Sequence, residues 1–183
     1  MRRPFATILL AAIGAAGLGL AGCETAPKTQ PERQVLIDKS GQTITEFRSL
    51  DPSMQSWFDS SHGYAVFPAV GSGAFIVGGS FGRGVVYERG VAIGFADIKQ
   101  GSVGLQAGGQ GYSEIIFFQT KEIFDSFKSG TFSFSADATA VAASAGAAGQ
   151  TTFKNGVAAF IKGQSGLMAG AAIGGQGFSF EAF

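Results

Sequence analysis

The spacing of hydrophobic positions changes once along the chain, close to Gly63. Between residues 32 and 49, apolar side chains recur near helical spacing and proline is absent, which predicts a helix. Beyond Gly63, short apolar runs alternate with glycine at the spacing typical of a small sandwich or barrel. The predicted strands are Tyr64–Phe67, Ala74–Val77, Gly84–Tyr87, Val91–Ile98, Ser102–Gln106, Ser113–Thr120, Thr131–Phe134, Val157–Ile161, Leu167–Ile173 and Phe178–Phe180.

A second helix is predicted around Trp57 and Phe58. Asp51 can serve as its N-cap, and Pro52 suits the first helical position, where a backbone N–H is not needed. We expect this short helix to end near Gly63, where the strand pattern begins.

A third helix is predicted to start at Thr120, which can cap it, and to end at Gly130. Residues 136–150 are almost all Ala, Ser and Gly, which fits either a strand-and-turn segment or a tightly packed surface of small residues. Two hairpin turns are predicted at Glu88-Arg89-Gly90 and Asn155-Gly156. The chain therefore predicts a mainly β, α+β fold: a glycine-rich antiparallel sheet or barrel-like sandwich preceded by N-terminal helices.

The first 22 residues have the layout of a bacterial secretory signal. Arg2 and Arg3 precede an uncharged apolar run over residues 5–19, and small residues follow. The run is shorter than the roughly 20 apolar residues that a membrane-spanning helix needs. We therefore expect this segment to be removed from the mature protein.

Cys23 completes a lipobox, Leu20-Ala21-Gly22-Cys23, of the kind found in bacterial lipoproteins. In those proteins diacylglycerol is attached to the cysteine thiol and the new amino terminus is acylated, and two or more acyl chains anchor a protein stably. The alternative is a plain signal peptide with an incidental cysteine. Glu24 in place of aspartate favours the outer membrane, facing the periplasm, over inner-membrane retention. The predicted parts are a signal peptide over residues 1–22, a lipidated tether over 23–31 and a domain over 32–183.

Composition and charge narrow the class of protein. The chain has 29 glycines but also 18 phenylalanines, whereas disordered glycine-rich chains lack large apolar residues. The glycines therefore interrupt a packed structure. Removal of the two signal arginines leaves 11 basic against 13 acidic residues, without the basic excess expected of a nucleic-acid-binding protein.

Few polar groups cluster in the way that catalysis requires. His62 is the single histidine, and without a Gly-x-Ser-x-Gly motif a structural role is favoured over a place in a hydrolase triad. One histidine and one cysteine do not predict a metal site. The run Gly78–Gly84 lacks the residues of a phosphate-binding loop. We therefore expect a non-enzymatic protein without a cofactor or metal.

Two further features have alternative interpretations. Glu114 enters a very apolar predicted strand, where a buried carboxylate needs a hydrogen bond or an ion pair. Arg83 or Lys99 could be the partner, and a structural ion pair is favoured over catalysis. Trp57 and Phe58 could touch lipid headgroups beside the tether, or they could pack on the sheet.

Five runs carry a resemblance to a known family: Gly63–Pro68, Gly78–Tyr87, Gly94–Asp97, Gly101–Phe118 and Gly166–Gly170. With these runs the chain resembles the SYLF domain family of lipid-binding proteins over roughly residues 31–183. The resemblance implies lipid binding. Some eukaryotic members bind phosphoinositides through a basic, amphipathic N-terminal segment, and some fungal members bind actin.

On this resemblance, membrane lipid is the expected partner of the domain. The candidate lipid contacts are Arg33, Lys39, Arg48, Trp57 and Phe58. The first helix also carries Glu32, Asp38 and Glu46, so it is not strongly basic and phosphoinositide recognition is not expected.

Three functions follow as hypotheses. The first is a membrane-anchored envelope lipoprotein whose domain binds a phospholipid surface or an acyl chain. The second is a structural or protein-interaction module of the envelope that its lipid merely localises. The third is a hydrolase that uses His62 or Glu114.

Overall fold

A computed structural model describes residues 27, 29–71, 79–101, 111–134, 140–163 and 175–183. The helices are α1 (Gln30–Leu50), α2 (Met54–Ser60), α3 (Lys121–Lys128) and a short 3₁₀ turn, η1 (Ala148–Gln150). The strands are β1 (Gly63–Gly71), β2 (Gly79–Glu88), β3 (Val91–Gly101), β4 (Tyr112–Phe118), β5 (Val141–Ala142), β6 (Val157–Gly163) and β7 (Gln176–Ala182). Three predicted strands lie outside the described residues: Ala74–Val77, Ser102–Gln106 and Leu167–Ile173.

The strands of the described residues form one sheet in the order β5-β6-β4-β1-β2-β3-β7. Neighbouring strands are antiparallel throughout, as predicted, except at one edge, where β5 runs parallel to β6. A parallel neighbour needs a long crossover rather than a hairpin, and residues 143–156, which include η1, provide it. The α+β prediction is confirmed, with a mixed rather than a purely antiparallel sheet.

The sheet is strongly curled. Strands β4 and β7 are four steps apart in the sheet, which corresponds to about 19 Å in a flat sheet. Nevertheless, Gln176 Nε2 on β7 donates a hydrogen bond to Glu114 Oε2 on β4 over 3.2 Å. The Phe178 ring on β7 likewise lies 6.2 Å from the Phe67 ring on β1. One face of the sheet is therefore concave, and side chains from distant strands meet inside it.

Each face of the sheet has its own hydrophobic core. Helix α3 covers the concave face, where Phe124 and Phe127 are fully buried. Helices α1 and α2 cover the other face, where Phe47 and Met54 are fully buried. Because both faces are covered, strand β4 is buried at every position, including its polar ones.

The caps of α1 and α3 follow the local sequence. Thr29 and Glu32 form a capping box, in which the Thr29 side chain accepts from Glu32 N at 3.4 Å and Glu32 Oε2 accepts from Thr29 N at 3.2 Å. Thr120 caps α3 by accepting from Ile123 N at 3.5 Å, as predicted. Gly130, with a φ of 72°, ends that helix in the left-handed region that glycine tolerates.

The predicted role of Asp51 as the N-cap of α2 is wrong: Asp51 is the C-cap of α1, whereas Ser53 is the N-cap of α2. The helix begins at Met54, and Asp51 Oδ1 accepts from the Ser53 backbone N–H at 3.0 Å. Its other oxygen, Oδ2, accepts from the Ala148 N–H at 2.8 Å. The Trp57 indole N–H donates to the carbonyl of Ala148 at 3.1 Å. Asp51 and Trp57 together fasten α2 to η1, a contact across almost one hundred residues that local sequence does not reveal.

The predicted strand Thr131–Phe134 is wrong. The backbone N–H groups of Thr131 and Phe132 both donate to the Ser126 carbonyl at 3.1 Å, so the segment wraps the end of α3. The Phe132 and Phe134 rings pack on Phe178 with centroids 6.0 and 5.9 Å away. The alternating phenylalanines resemble a strand, but they cover the concave core from an irregular segment.

Candidate functional site

An apolar groove lies beside the first turns of α1, and we name it the α1 groove. It has a volume of about 320 Å³. Its walls and rim are formed by Pro27, Pro31, Glu32, Val35, Leu36, Lys39 and Arg83. Val35 is 51% exposed, so part of its apolar side chain faces the open side of the groove.

Two cations border the α1 groove. Lys39 is exposed on α1, and within the described part of the chain its ammonium group has no ion pair. Arg83 on β2 is 4.0 Å from Asp97 Oδ1, a distance that leaves its exposed guanidinium only loosely held. Glu32, on the same rim, accepts from the Thr29 N–H in the capping box. The groove thus combines apolar walls with two basic groups at the surface.

Arg33 and Arg48 do not join Lys39 in one patch. Arg33 Nε donates to the Pro27 carbonyl at 3.0 Å, and its Nη2 is 3.6 Å from Glu181 Oε1. Arg33 therefore holds the start of α1 against the sheet. Arg48 lies near the other end of the helix, with its guanidinium 4.4 Å from the centre of the Phe58 ring.

Trp57 and Phe58 do not form a lipid-facing surface in this structure. They are only 6% and 8% exposed. The Trp57 ring packs on Phe160 at 5.1 Å, and the Phe58 ring packs edge-on against Phe117 at 4.9 Å. The interpretation of these residues as headgroup contacts is corrected: their large apolar area is used to attach α2 to the sheet.

Glu114 is buried, but the predicted ion pair with Arg83 or Lys99 is wrong. Strands β2 and β3, which carry those two cations, are separated from β4 by β1. Within the described residues Glu114 instead accepts a hydrogen bond from Gln176, and its Oε1 has no hydrogen-bond partner. Burial raises the pKa of Glu114 to about 8, although the Gln176 hydrogen bond acts in the opposite direction. At neutral pH the group is therefore mainly a neutral carboxylic acid.

Sequence reasoning missed the α1 groove, although part of its signal was present. Pro31, Val35 and Lys39 are spaced four residues apart, so they line one side of a helix. The contributions of Pro27 and Arg83 depend on tertiary packing, which the linear pattern does not show.

Three further observations concern the helices and the titratable side chains of the described residues. None of their helices combines the length and apolarity required to cross a membrane. They contain no cluster of three His, Cys, Asp or Glu side chains arranged to hold a metal ion. His62 Nε2 is 2.9 Å from Glu88 Oε1, which engages the single histidine in a contact with a carboxylate. Cys23 lies outside the described residues.

Residues 99–182 match the family described as Ysc84, Las17-binding protein actin regulator. The match covers 84 of the 183 residues of the chain. The resemblance seen in the sequence is thereby confirmed. The chain is also similar to Beta cell expansion factor A of Aeromonas veronii, with 28% identity over 153 residues. The aligned region covers 82% of this chain but only 58% of the length of that relative.

Proposed function

We propose that this protein is an envelope lipoprotein, anchored through Cys23, whose SYLF domain binds phospholipid without catalysing a reaction. The observation that carries the proposal is the α1 groove, with its exposed Val35 and its two rim cations. The match to the Ysc84 (SYLF) family supports it, because the resemblance to that family implies lipid binding.

The position of the groove in the chain suits a membrane contact. Four peptide steps separate Cys23 from Pro27, which lines the groove. Even fully extended, this connection spans at most about 14 Å. A lipid attached to Cys23 would therefore keep the α1 groove within reach of the bilayer surface.

The chemistry of the groove fits the boundary between headgroups and acyl chains. Burying one exposed valine side chain contributes up to about 1.5–3 kcal/mol, and each cation near an anionic surface about 1 kcal/mol. Val35, Lys39 and Arg83 would together supply only a few kcal/mol. We infer that the domain orients itself on a membrane to which its lipid already holds it, on the periplasmic face of the outer membrane.

Flotation with vesicles tests the proposal. The mature domain carrying Cys23→Ser should float with vesicles that contain phosphatidylglycerol, and more weakly with pure phosphatidylcholine. Val35→Asp should reduce the floated fraction by about tenfold, since it replaces an apolar contact with a charge. Val91→Asp is the matched control, because Val91 is also exposed, at 66%, and lies at the start of β3 away from the groove. Absence of flotation for the unsubstituted domain would refute direct lipid binding.

A protein-interaction module is the second candidate. It is favoured by the family description, which names Las17 binding and actin regulation for the Ysc84 family. In a bacterial envelope the ligand would be another envelope protein. Crosslinking in intact cells should then recover one stoichiometric partner. If that partner binds elsewhere than the α1 groove, Val35→Asp should leave the yield of the crosslinked complex unchanged.

A further inference from the structure

A second depression lies at the far end of α1, and we name it the arginine pocket. It has a volume of about 630 Å³ and lies where α1 ends, α2 meets β1, and β2 turns into β3. Arg48, His62 and Arg89 contribute its basic groups. Arg48 is thirteen residues beyond Val35, about 20 Å along the helix, so this pocket is separate from the α1 groove.

The two guanidinium groups of the pocket are available. Both arginines are exposed, and neither has an ion pair among the residues that the structure describes. Arg48 is positioned by stacking on Phe58 at 4.4 Å. Asp59 also lines the pocket and accepts a hydrogen bond from the Gln55 amide at 2.8 Å, so the pocket holds one carboxylate beside its two guanidinium groups. Glu88 is 2.9 Å from His62.

The backbone at Arg89 is unfavourable for arginine. Arg89 and Gly90 form a two-residue turn with φ angles of 49° and 82°, closed by the Glu88–Val91 pair. Non-glycine residues rarely adopt positive φ, and asparagine tolerates it much better than arginine. The other two-residue turn of the described residues uses the favourable pair Asn155-Gly156, with φ angles of 52° and 76°.

Local strain at an arginine that faces a pocket is typical of a functional position. The turn itself is well fixed, because the Arg89 N–H donates to the His62 carbonyl at 3.1 Å. The arginine side chain makes no ion pair within the described residues that would compensate for its backbone, whereas Asn155 shows how the same turn is built without strain.

We propose that the arginine pocket binds a phosphate monoester group. A guanidinium presents a planar pair of donors that matches phosphate oxygens, and two of them can neutralise a dianion. The Ser60 hydroxyl and the Gln119 amide line the same pocket and can add neutral donors. The monoester could belong to a soluble metabolite or to the headgroup of phosphatidic acid. This site is independent of the α1 groove and of the proposed membrane contact there.

The test is an NMR titration of the mature Cys23→Ser domain with sn-glycerol 3-phosphate, with flotation on phosphatidic acid vesicles in parallel. Arg89→Asn is the decisive variant, since it removes the guanidinium and relieves the turn. It should weaken binding at least about tenfold while raising Tm by roughly 2–4 °C. Arg48→Gln should weaken binding similarly. Lys154→Gln, the same charge change beside the Asn155 turn, should leave both unchanged.

The outcomes separate the two sources of phosphate. Binding of sn-glycerol 3-phosphate that Arg89→Asn abolishes supports a soluble ligand. Arg89-dependent flotation on phosphatidic acid, without binding of the soluble probe, supports a headgroup. The proposal would be overturned if the domain bound neither sn-glycerol 3-phosphate nor phosphatidic acid vesicles. It would also be overturned if Arg89→Asn and Lys154→Gln had the same effect on binding, including no effect. If instead the α1 groove does not contact lipid, Val35→Asp should leave flotation with phosphatidylglycerol vesicles unchanged.

Discussion

Replacing Glu114 by glutamine should remove a large part of the pH dependence of stability. Burial raises the pKa of Glu114 from 4.5 to about 8 in the folded protein. Between these pH values the unfolded chain loses the proton while the folded protein keeps it, so the free energy of unfolding falls as pH rises. The slope is about 1.4 kcal/mol per pH unit, and the whole interval amounts to at most about 5 kcal/mol.

The amide at position 114 also matches the hydrogen bonding of the site. Gln176 Nε2 already donates to Glu114 Oε2, while Gln176 Oε1 has no partner within the described residues. The new NH₂ group can donate to Gln176 Oε1, as a protonated carboxyl would. The variant therefore retains the shape and polarity of the neutral acid without its ionisation.

Urea denaturation of the mature Cys23→Ser domain, at pH values from about 5 to about 8, measures the effect. The difference in unfolding free energy between Glu114→Gln and the parent should grow by about 1.4 kcal/mol per pH unit, in favour of the variant. A constant difference across this range would refute the assignment of a neutral buried acid.

Gln176→Met is the companion variant. The hydrogen bond from Gln176 lowers the pKa of Glu114, so its removal should extend the loss of stability to higher pH. If Gln176→Met and the parent show the same pH profile, Gln176 does not contact the carboxyl in solution.

Asp51→Ala should destabilise the fold by about 1–3 kcal/mol in urea denaturation, since it leaves the buried Ala148 N–H without its acceptor. Gly82→Ala should lower Tm, because the added Cβ would lie 2.8 Å from the Ala69 carbonyl oxygen, whereas Gly41→Ala has free space and should stabilise α1 by about 0.5–1 kcal/mol. If Gly82→Ala and Gly41→Ala changed Tm equally, the close contact between Gly82 and strand β1 would be contradicted. In cells, radiolabelled palmitate should be incorporated into the parent protein but not into Cys23→Ser, and equal labelling of the two would contradict lipidation at Cys23.

Local signals predicted the elements that depend on local physics. Helix α1 spans Gln30–Leu50 where residues 32–49 were predicted, because its spacing and the Thr29 cap are encoded nearby. Strands β1 to β4 contain or closely overlap the predicted runs, since glycine and turn residues mark their ends. Thr131–Phe134 misled the prediction because alternating phenylalanines serve equally well to cover a core from an irregular segment.

The candidate sites depend on contacts between distant parts of the chain, and there sequence reasoning was weaker. The partner of Glu114 comes from β7 only because the sheet curls, and no charge pattern indicates a neutral amide partner. The sequence does not show whether Trp57 lies on the surface or in the core. In the structure its indole N–H donates to the Ala148 carbonyl, a partner that is distant in the sequence. The arginine pocket needs α1 and the β2–β3 turn to meet, although the unfavourable Arg-Gly turn itself was visible in the sequence.

Fluorescence from the α1 groove tests the central claim most directly. The Cys23→Ser background lacks cysteine, so Val35→Cys or Val91→Cys can each carry one environment-sensitive nitrobenzoxadiazole label. On addition of phosphatidylglycerol vesicles, the label at position 35 should shift to shorter wavelength and brighten, while the label at position 91 should not. An unchanged spectrum at position 35, or the same change at both positions, would contradict membrane contact through the α1 groove.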